Sequence, residues 1–215
     1  FSFVTSGFAS ALPLGLASLF VIIYMRTDAV MVEAMAGKDA AGQYGAAFRL
    51  LQAMVLLPTI VQTALFPRLS SLFEEADFPS FERLLRRSLG GLTAISLPAA
   101  AAVTWLAPSI IHLMDPSPEF SGAVTALQIL CWTLPFMCIN NVVNTTLIAA
   151  DDHRAAATLL GGAVVCNIAL NFGLIPVYSF YGACIATLAT EACITVAMGL
   201  RYMLYTRSRL LASAR

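Results

Sequence analysis

Charge is what this chain has least of. Only 11% of its 215 residues are Asp, Glu, Lys or Arg, against about 25% in soluble domains. Apolar residues make up 59%, against about 45–50%. A soluble fold of this size keeps most of its surface wet and cannot hide so much apolar area. The composition therefore excludes a soluble domain and implies an integral membrane protein. Net charge is zero, and the basic residues are not spread as a nucleic-acid surface requires, which excludes that partner. Only two histidines are present, His112 and His153. They lie at opposite membrane faces with no nucleophile beside either, so no hydrolytic constellation exists. A Gly-rich phosphate loop with its Lys is missing too, so ATP use is not indicated. The five cysteines (Cys131, Cys138, Cys166, Cys184 and Cys193) fit no zinc spacing and read as small buried hydrophobes. No cofactor or metal is expected. The chain opens at Phe1 without a charged-then-apolar leader and cleavage site, so it is expected to lack a signal peptide and to be a piece of a longer polypeptide.

What is abundant is long apolar helix. A hydrocarbon core about 30 Å thick needs about 20 apolar residues. Six segments meet that test, at 11–36, 43–67, 89–111, 122–149, 155–177 and 180–203. They predict an all-α polytopic membrane protein, with six spans in three hairpins. Counting Lys and Arg in the short links orients it. One side holds Arg68, Arg83, Arg86, Arg87, Arg154, Arg201, Arg207, Arg209 and Arg215; the other holds Lys38 alone. The Arg-rich side should be cytoplasmic, with both ends of the chain inside. The intervening links are too short for a catalytic domain, which argues against an enzyme. The stretch 68–88 repeats Phe81, Leu84, Leu85 and Ser88 at helical spacing, with Ser80 available as an N-cap. It reads either as an amphipathic connector on the anionic cytoplasmic lipid surface or as a solvated link.

Ionisable groups inside spans are costly and line cavities or pair with each other. Arg26 and Asp28 interrupt the first span, Arg49 the second and Glu191 the sixth. With the first turn centred near residue 40, Asp28 and Arg49 differ in depth by about 4 Å, which allows a pair across the hairpin. Arg26 is about 200° around the helix from Asp28, so one faces a cavity and the other a neighbouring helix. Glu191 and Asn167 both fall near the midplane, and a carboxyl there can carry a proton. Thr187, Glu191 and Thr195 form a stripe at spacing four, with Gly182 and Ala186 on the opposite face for close packing. Asn167 with Asn171, Asn140 with Asn144, and Gln52 with Thr59 and Thr63 make further stripes. These are either interhelical glue or the lining of a polar path. Pro13, Pro58, Pro98 and Pro135 fall inside spans one to four and kink them, with Pro58 and Pro135 as candidate hinges.

Several of these residues carry a resemblance. Tyr24-Met25-Arg26-Thr27-Asp28, then Gly42-Gln43-Tyr44-Gly45-Ala46-Ala47-Phe48-Arg49, Leu57-Pro58 and Leu65-Phe66-Pro67-Arg68-Leu69-Ser70 resemble the oligosaccharide (O-antigen type) flippases. Those proteins belong to the multidrug/oligosaccharidyl-lipid/polysaccharide exporter superfamily. Asn167 to Asn171, Leu174-Ile175-Pro176, Tyr181-Gly182-Ala183, Ala186-Thr187 and Glu191 are similar to that family's penultimate pair of core helices. The resemblance implies one six-helix lobe, the second, of a MATE-like transporter, in a bacterial cytoplasmic membrane. Its implied activity is movement of undecaprenyl-diphosphate-linked oligosaccharide across that membrane by alternating access, for O-antigen or capsule. Its implied partners are the lipid-linked glycan, membrane lipids and the N-terminal lobe that this sequence lacks. It places Arg26, Arg49, Asn167 and Asn171 at the substrate, and Asp28 and Glu191 as coupling groups or ion-pair partners. A cation-coupled multidrug exporter, a peptidoglycan-precursor flippase and a non-transporting scaffold for glycan assembly remain as alternatives.

Overall fold

The computed structural model describes residues 26–150 and 152–213. Helix α1 is described over 26–36. It is followed by α2 (Lys38–Glu74), α3 (Phe78–Met114), α4 (Ser121–Leu130), α5 (Thr133–Ala149), α6 (His153–Tyr178) and α7 (Phe180–Ser213). Pro118–Phe120 form a single 3-10 turn before α4. Five helical segments are long and apolar enough to cross a membrane: α2, α3, α4 with α5, α6 and α7. The first expected span is described only at its end, and Pro13 lies outside the described residues. The all-helical architecture expected from composition is what the structure has.

The links are shorter than the sequence suggests. A single residue, Gly37 at φ 91°, separates α1 from α2. Glycine occupies that left-handed conformation without the steric cost of a Cβ. The first turn is thus centred at 37 rather than near 40. Likewise one residue, Ser179 at φ 55°, turns α6 into α7. Gly37, the Pro118–Phe120 turn and Ser179 mark one end of the bundle. The turn at 75–77 and the link at 150–152 mark the other.

Residues 68–88 form no separate connector. They are the end of α2, the turn, and the start of α3. Each of these helices has 37 residues, about 55 Å at 1.5 Å per residue, so the hairpin tip outruns the hydrocarbon core. The apolar stripe of Phe81 and Leu85 packs against Leu69 and Leu72 of α2 rather than on lipid. Asp77, not Ser80, caps α3, and accepts the Ser80 amide at 3.1 Å. That bond holds the Asp77 carboxyl below its usual range, so the cap is intact at neutral pH and weakens as acid protonates it.

The fourth expected span is broken. Helix α4 stops at Leu130 and α5 starts at Thr133. Pro135 has no amide to offer the Cys131 carbonyl. Leu134 N–H takes that carbonyl at 3.2 Å instead, and the Thr133 hydroxyl takes the Leu130 carbonyl at 2.6 Å. Pro58 and Pro98 lie within continuous helices.

Helix α6 packs most extensively on α7. Gly182 makes this close approach, since a Cβ there would strike the Leu174 backbone carbonyl. Gly182→Val should therefore destabilise the lobe by about 1–3 kcal/mol, read as a lower melting temperature in detergent. Gly90→Ala, where the same space is open, should not lower it. Equal melting temperatures would show that the α6–α7 contact tolerates expansion.

Candidate functional site

Asp28 is the deepest charge on the page. It is 7% exposed, and its neighbours Tyr44, Asn171, Asn167 and Thr187 are buried as well. Four helices bring them together. The Asn171 amide donates to Asp28 Oδ1 at 2.6 Å. The Tyr44 and Thr187 hydroxyls donate to Oδ2 at 3.2 and 3.0 Å. Asn171 also donates to Asn167 Oδ1 at 3.2 Å. The Thr187 proton has a second acceptor in reach, the Ala183 carbonyl at 2.9 Å. Asn171 Oδ1 is buried without a hydrogen-bond partner. Oxygen atoms from a carboxylate, two amides and two hydroxyls thus converge beneath the surface, which suits a proton or a small hard cation.

The expected Asp28–Arg49 pair does not form among the described residues. Depth alone does not separate the candidates, since Asp28 lies nine residues before Gly37, Tyr44 seven after it and Arg49 twelve after it. Rotation does, because Arg49 is about 140° around α2 from Tyr44, and it is Tyr44 that faces Asp28. The Arg49 guanidinium folds back to its own helix, with Nε donating to the Gly45 carbonyl at 3.1 Å. Arg26 and Arg49 are both exposed on the lobe surface, while Asp28 is inside. Of Arg26 and Asp28, Asp28 is the one that touches neighbouring helices.

Glu191 belongs to a second network. Asn140 Nδ2 donates to Glu191 Oε2 at 2.7 Å and to its main-chain carbonyl at 3.1 Å. The Thr195 hydroxyl donates to Asn140 Oδ1 at 2.8 Å. Depth pairs Glu191 with Asn167, but rotation of α6 turns Asn167 to Asp28. The ion-pair roles expected for Asp28 and Glu191 are corrected accordingly, because each is held by neutral donors. Asn167 and Asn171, expected at the substrate, are buried around Asp28 instead. The α7 stripe is split between networks, with Thr187 serving Asp28 while Glu191 and Thr195 serve Asn140. Sequence reasoning singled out neither the Tyr44 role nor the Asn140–Glu191 bond.

The α2 stripe is different in kind. Gln52, Thr59 and Thr63 are exposed. The Thr59 and Thr63 hydroxyls bond to carbonyls of their own helix, of Val55 and Ile60. They are not interhelical glue within this lobe. A cleft between α2 and α5 is lined by Gln62, Thr63, Phe66, Thr145 and Ile148.

The family described as MatE matches residues 13–172. A probable flippase, AglR, of Haloferax volcanii is 29% identical over 166 residues, covering 77% of this chain and 35% of that protein. A probable low-salt glycan biosynthesis flippase, Agl15, of the same organism is 24% identical over 173 residues, covering 80% and 36%. A putative O-antigen transporter of Escherichia coli is 25% identical over 180 residues, covering 83% and 43%. Among solved structures, an outward-facing multidrug resistance MATE family transporter of the MOP superfamily matches with a TM-score of 0.80 at 15% identity. It covers 94% of this chain and 45% of that one. The chain therefore spans less than half the length of the relatives it matches.

Asn171 supplies the shortest bond to Asp28, and removing one partner of a buried bond costs about 1–3 kcal/mol, whereas removing both is often nearly neutral. Asn171→Leu should lower the melting temperature in detergent, and Asp28→Leu with Asn171→Leu should recover part of the loss. A double variant as unstable as the sum of the single ones would show that the two side chains act independently.

Proposed function

Since the chain belongs to the MatE family and is a multi-pass membrane transporter domain, we propose that it is one lobe of a flippase for lipid-linked, anionic oligosaccharide. The observation that carries this reading is the placement of Arg49. It stands exposed on α2, twelve residues past Gly37, about 18 Å along the helix and so near the middle of a core about 30 Å thick. A guanidinium facing lipid at that depth is expensive, by about 2.5–3.5 kcal/mol on insertion scales and more in simulations. The Arg49 face is therefore a polar one, turned to a cavity, and Arg26 adds to it.

A basic face suits an anion. Guanidinium groups take the oxygens of a diphosphate in a bidentate fork, while a polyprenyl tail stays in the bilayer. Asp28 and Glu191 are held beneath this face by neutral donors, so neither is paired with Arg26 or Arg49. Asp28, with Tyr44, Asn167, Asn171 and Thr187, is the coupling site, alternately taking and releasing a proton or small cation. Glu191, on α7 four residues past Thr187, is a second acid. The lobe works against another lobe by alternating access, in a bacterial inner membrane, with the Arg-rich ends cytoplasmic. O-antigen or capsule precursors on undecaprenyl diphosphate are the substrate class.

The names of the three relatives support glycan flipping. Export of cationic drugs is the second reading, supported by the solved transporter of that kind, although a likeness at 15% identity speaks for the fold alone. Charge favours the first reading, because a cationic drug would be repelled by the Arg26 and Arg49 face.

Flipping is measured in vesicles from the quencher accessibility of a fluorescent undecaprenyl-diphosphate glycan. Arg49→Ala and Arg26→Ala should each reduce it by about tenfold or more, as expected for losing a charge-assisted bond of about 1.5–3 kcal/mol, with membrane insertion unchanged. Asp28→Asn should leave glycan binding intact and abolish the response to an ion gradient. Wild-type flipping in both Arg variants would overturn the substrate assignment.

A further inference from the structure

The interior of the lobe is not one core. Its buried apolar side chains form two main clusters, stacked along the helices. The cluster at the Gly37 end joins Leu51 of α2, Ala107 of α3 and Leu127 and Leu130 of α4. The cluster at the Asp77 end joins Leu65 of α2, Leu92 of α3 and Leu134 and Cys138 of α5. Interiors packed this way transmit strain within each body, so what joins the two bodies decides whether the lobe is rigid.

Every span that serves both main clusters is weakened between them. In α2, Pro58 falls between Leu51 and Leu65. In α3, Pro98 falls between Leu92 and Ala107. The span of α4 with α5 is interrupted at Cys131 and Trp132, just before Pro135, where the hydrogen bonding changes while the backbone stays right-handed. Each proline removes a helical hydrogen bond and disturbs the preceding turn. Helix α7 is the exception. It runs on from Phe180 without a proline, carrying Cys184 in the first cluster and Met198 in a smaller one beside the second.

The two parts of the broken span hang on different neighbours. Pro108 leaves the Thr104 carbonyl of α3 without its helical donor, and Gln128 of α4 fills it at 3.1 Å. The Thr104 hydroxyl lies 3.1 Å from Cys131 Sγ at the break. Beyond the break, α5 is tied instead to α7 through Asn140, Glu191 and Thr195. So side-chain hydrogen bonds tie α4 to α3 and α5 to α7, while α5 also packs on α2 and α3, and α4 on α2 and α7.

We propose that the lobe is hinged at this level. The Asp77-end body bends against the Gly37-end body about Pro58, Pro98 and the Cys131–Trp132 break, with α7 as the spine and Asn140 as the tether that limits the swing of α5. Both walls of the cleft between α2 and α5 belong to the Asp77-end body, so bending at the hinge carries the cleft as a unit relative to the Gly37 end. The hinge does not depend on the identity of the substrate.

The test is a set of distances between pairs of spin-labelled unnatural amino acids, which leave the native cysteines in place, measured by pulsed electron resonance in lipid nanodiscs. Lys38 with Leu113, and Glu74 with Arg83, are pairs within one body. Lys38 with Glu74, and Leu113 with Arg83, are pairs across the hinge. The pairs within a body should be narrowly distributed and the pairs across it broad. Pro58→Ala with Pro98→Ala should narrow the latter to the width of the former, while the unchanged pairs within a body report an intact fold. Asn140→Leu should widen the pairs across the hinge. Distributions across the hinge as narrow as those within a body would overturn the proposal. So would broad ones that the proline replacements leave unchanged, and an Asn140→Leu variant without effect would remove the tether.

Discussion

One carboxylate organises this lobe. A charge buried between helices in a hydrocarbon slab has to be given hydrogen-bond donors, and those available to Asp28 come from three other helices. Satisfying it draws Tyr44 of α2, Asn171 of α6 and Thr187 of α7 to one point. Helices in a membrane gain little from hiding apolar surface from each other, since lipid is as apolar as leucine. The network therefore supplies a direction that apolar packing lacks. It sets the rotation of α6, which in turn leaves Glu191 to find Asn140 on α5. The Gly182 approach to the Leu174 backbone then closes the α6–α7 pair.

This arrangement separates two kinds of polar residue. Acids and carboxamides are inside, in closed networks with neutral partners. The guanidinium groups of Arg26 and Arg49 are outside, on the surface of the lobe. Had Asp28 and Arg49 paired, the charge of each would have been spent on the other. Keeping them apart leaves Asp28 with neutral donors and Arg49 exposed on α2. The separation follows from the rotation of α2, which turns Tyr44 rather than Arg49 toward Asp28.

The hairpin tip shows the same economy at the other end. Its stripe of Phe81 and Leu85 looks amphipathic in isolation, and its face is consumed by α2. Arg68, Arg83, Arg86 and Arg87 are matched in number by Glu74, Glu75, Asp77 and Glu82, and Arg86 bridges Glu82 at 2.7 Å. That bridge is exposed on both sides, so it adds little to stability.

The sequence by itself determined the solvent and the class of fold. Composition at 11% charge required a membrane, and runs of about 20 apolar residues required helices, because the bilayer core offers the backbone no other partner. It also singled out Asp28, Arg26, Arg49, Glu191 and the Asn and Thr stripes, because a polar group in a span stands out against its neighbours. Only the tertiary structure decided who meets whom. Spacing along a helix fixes depth to within a turn, but which face points at which neighbour depends on turn length and on the rotation of every packed helix. The rotation of α2 made Tyr44 rather than Arg49 the partner of Asp28. The break before Pro135 is likewise a contest between a missing amide and the packing around it, settled by Leu134 and Thr133 taking the stranded carbonyls.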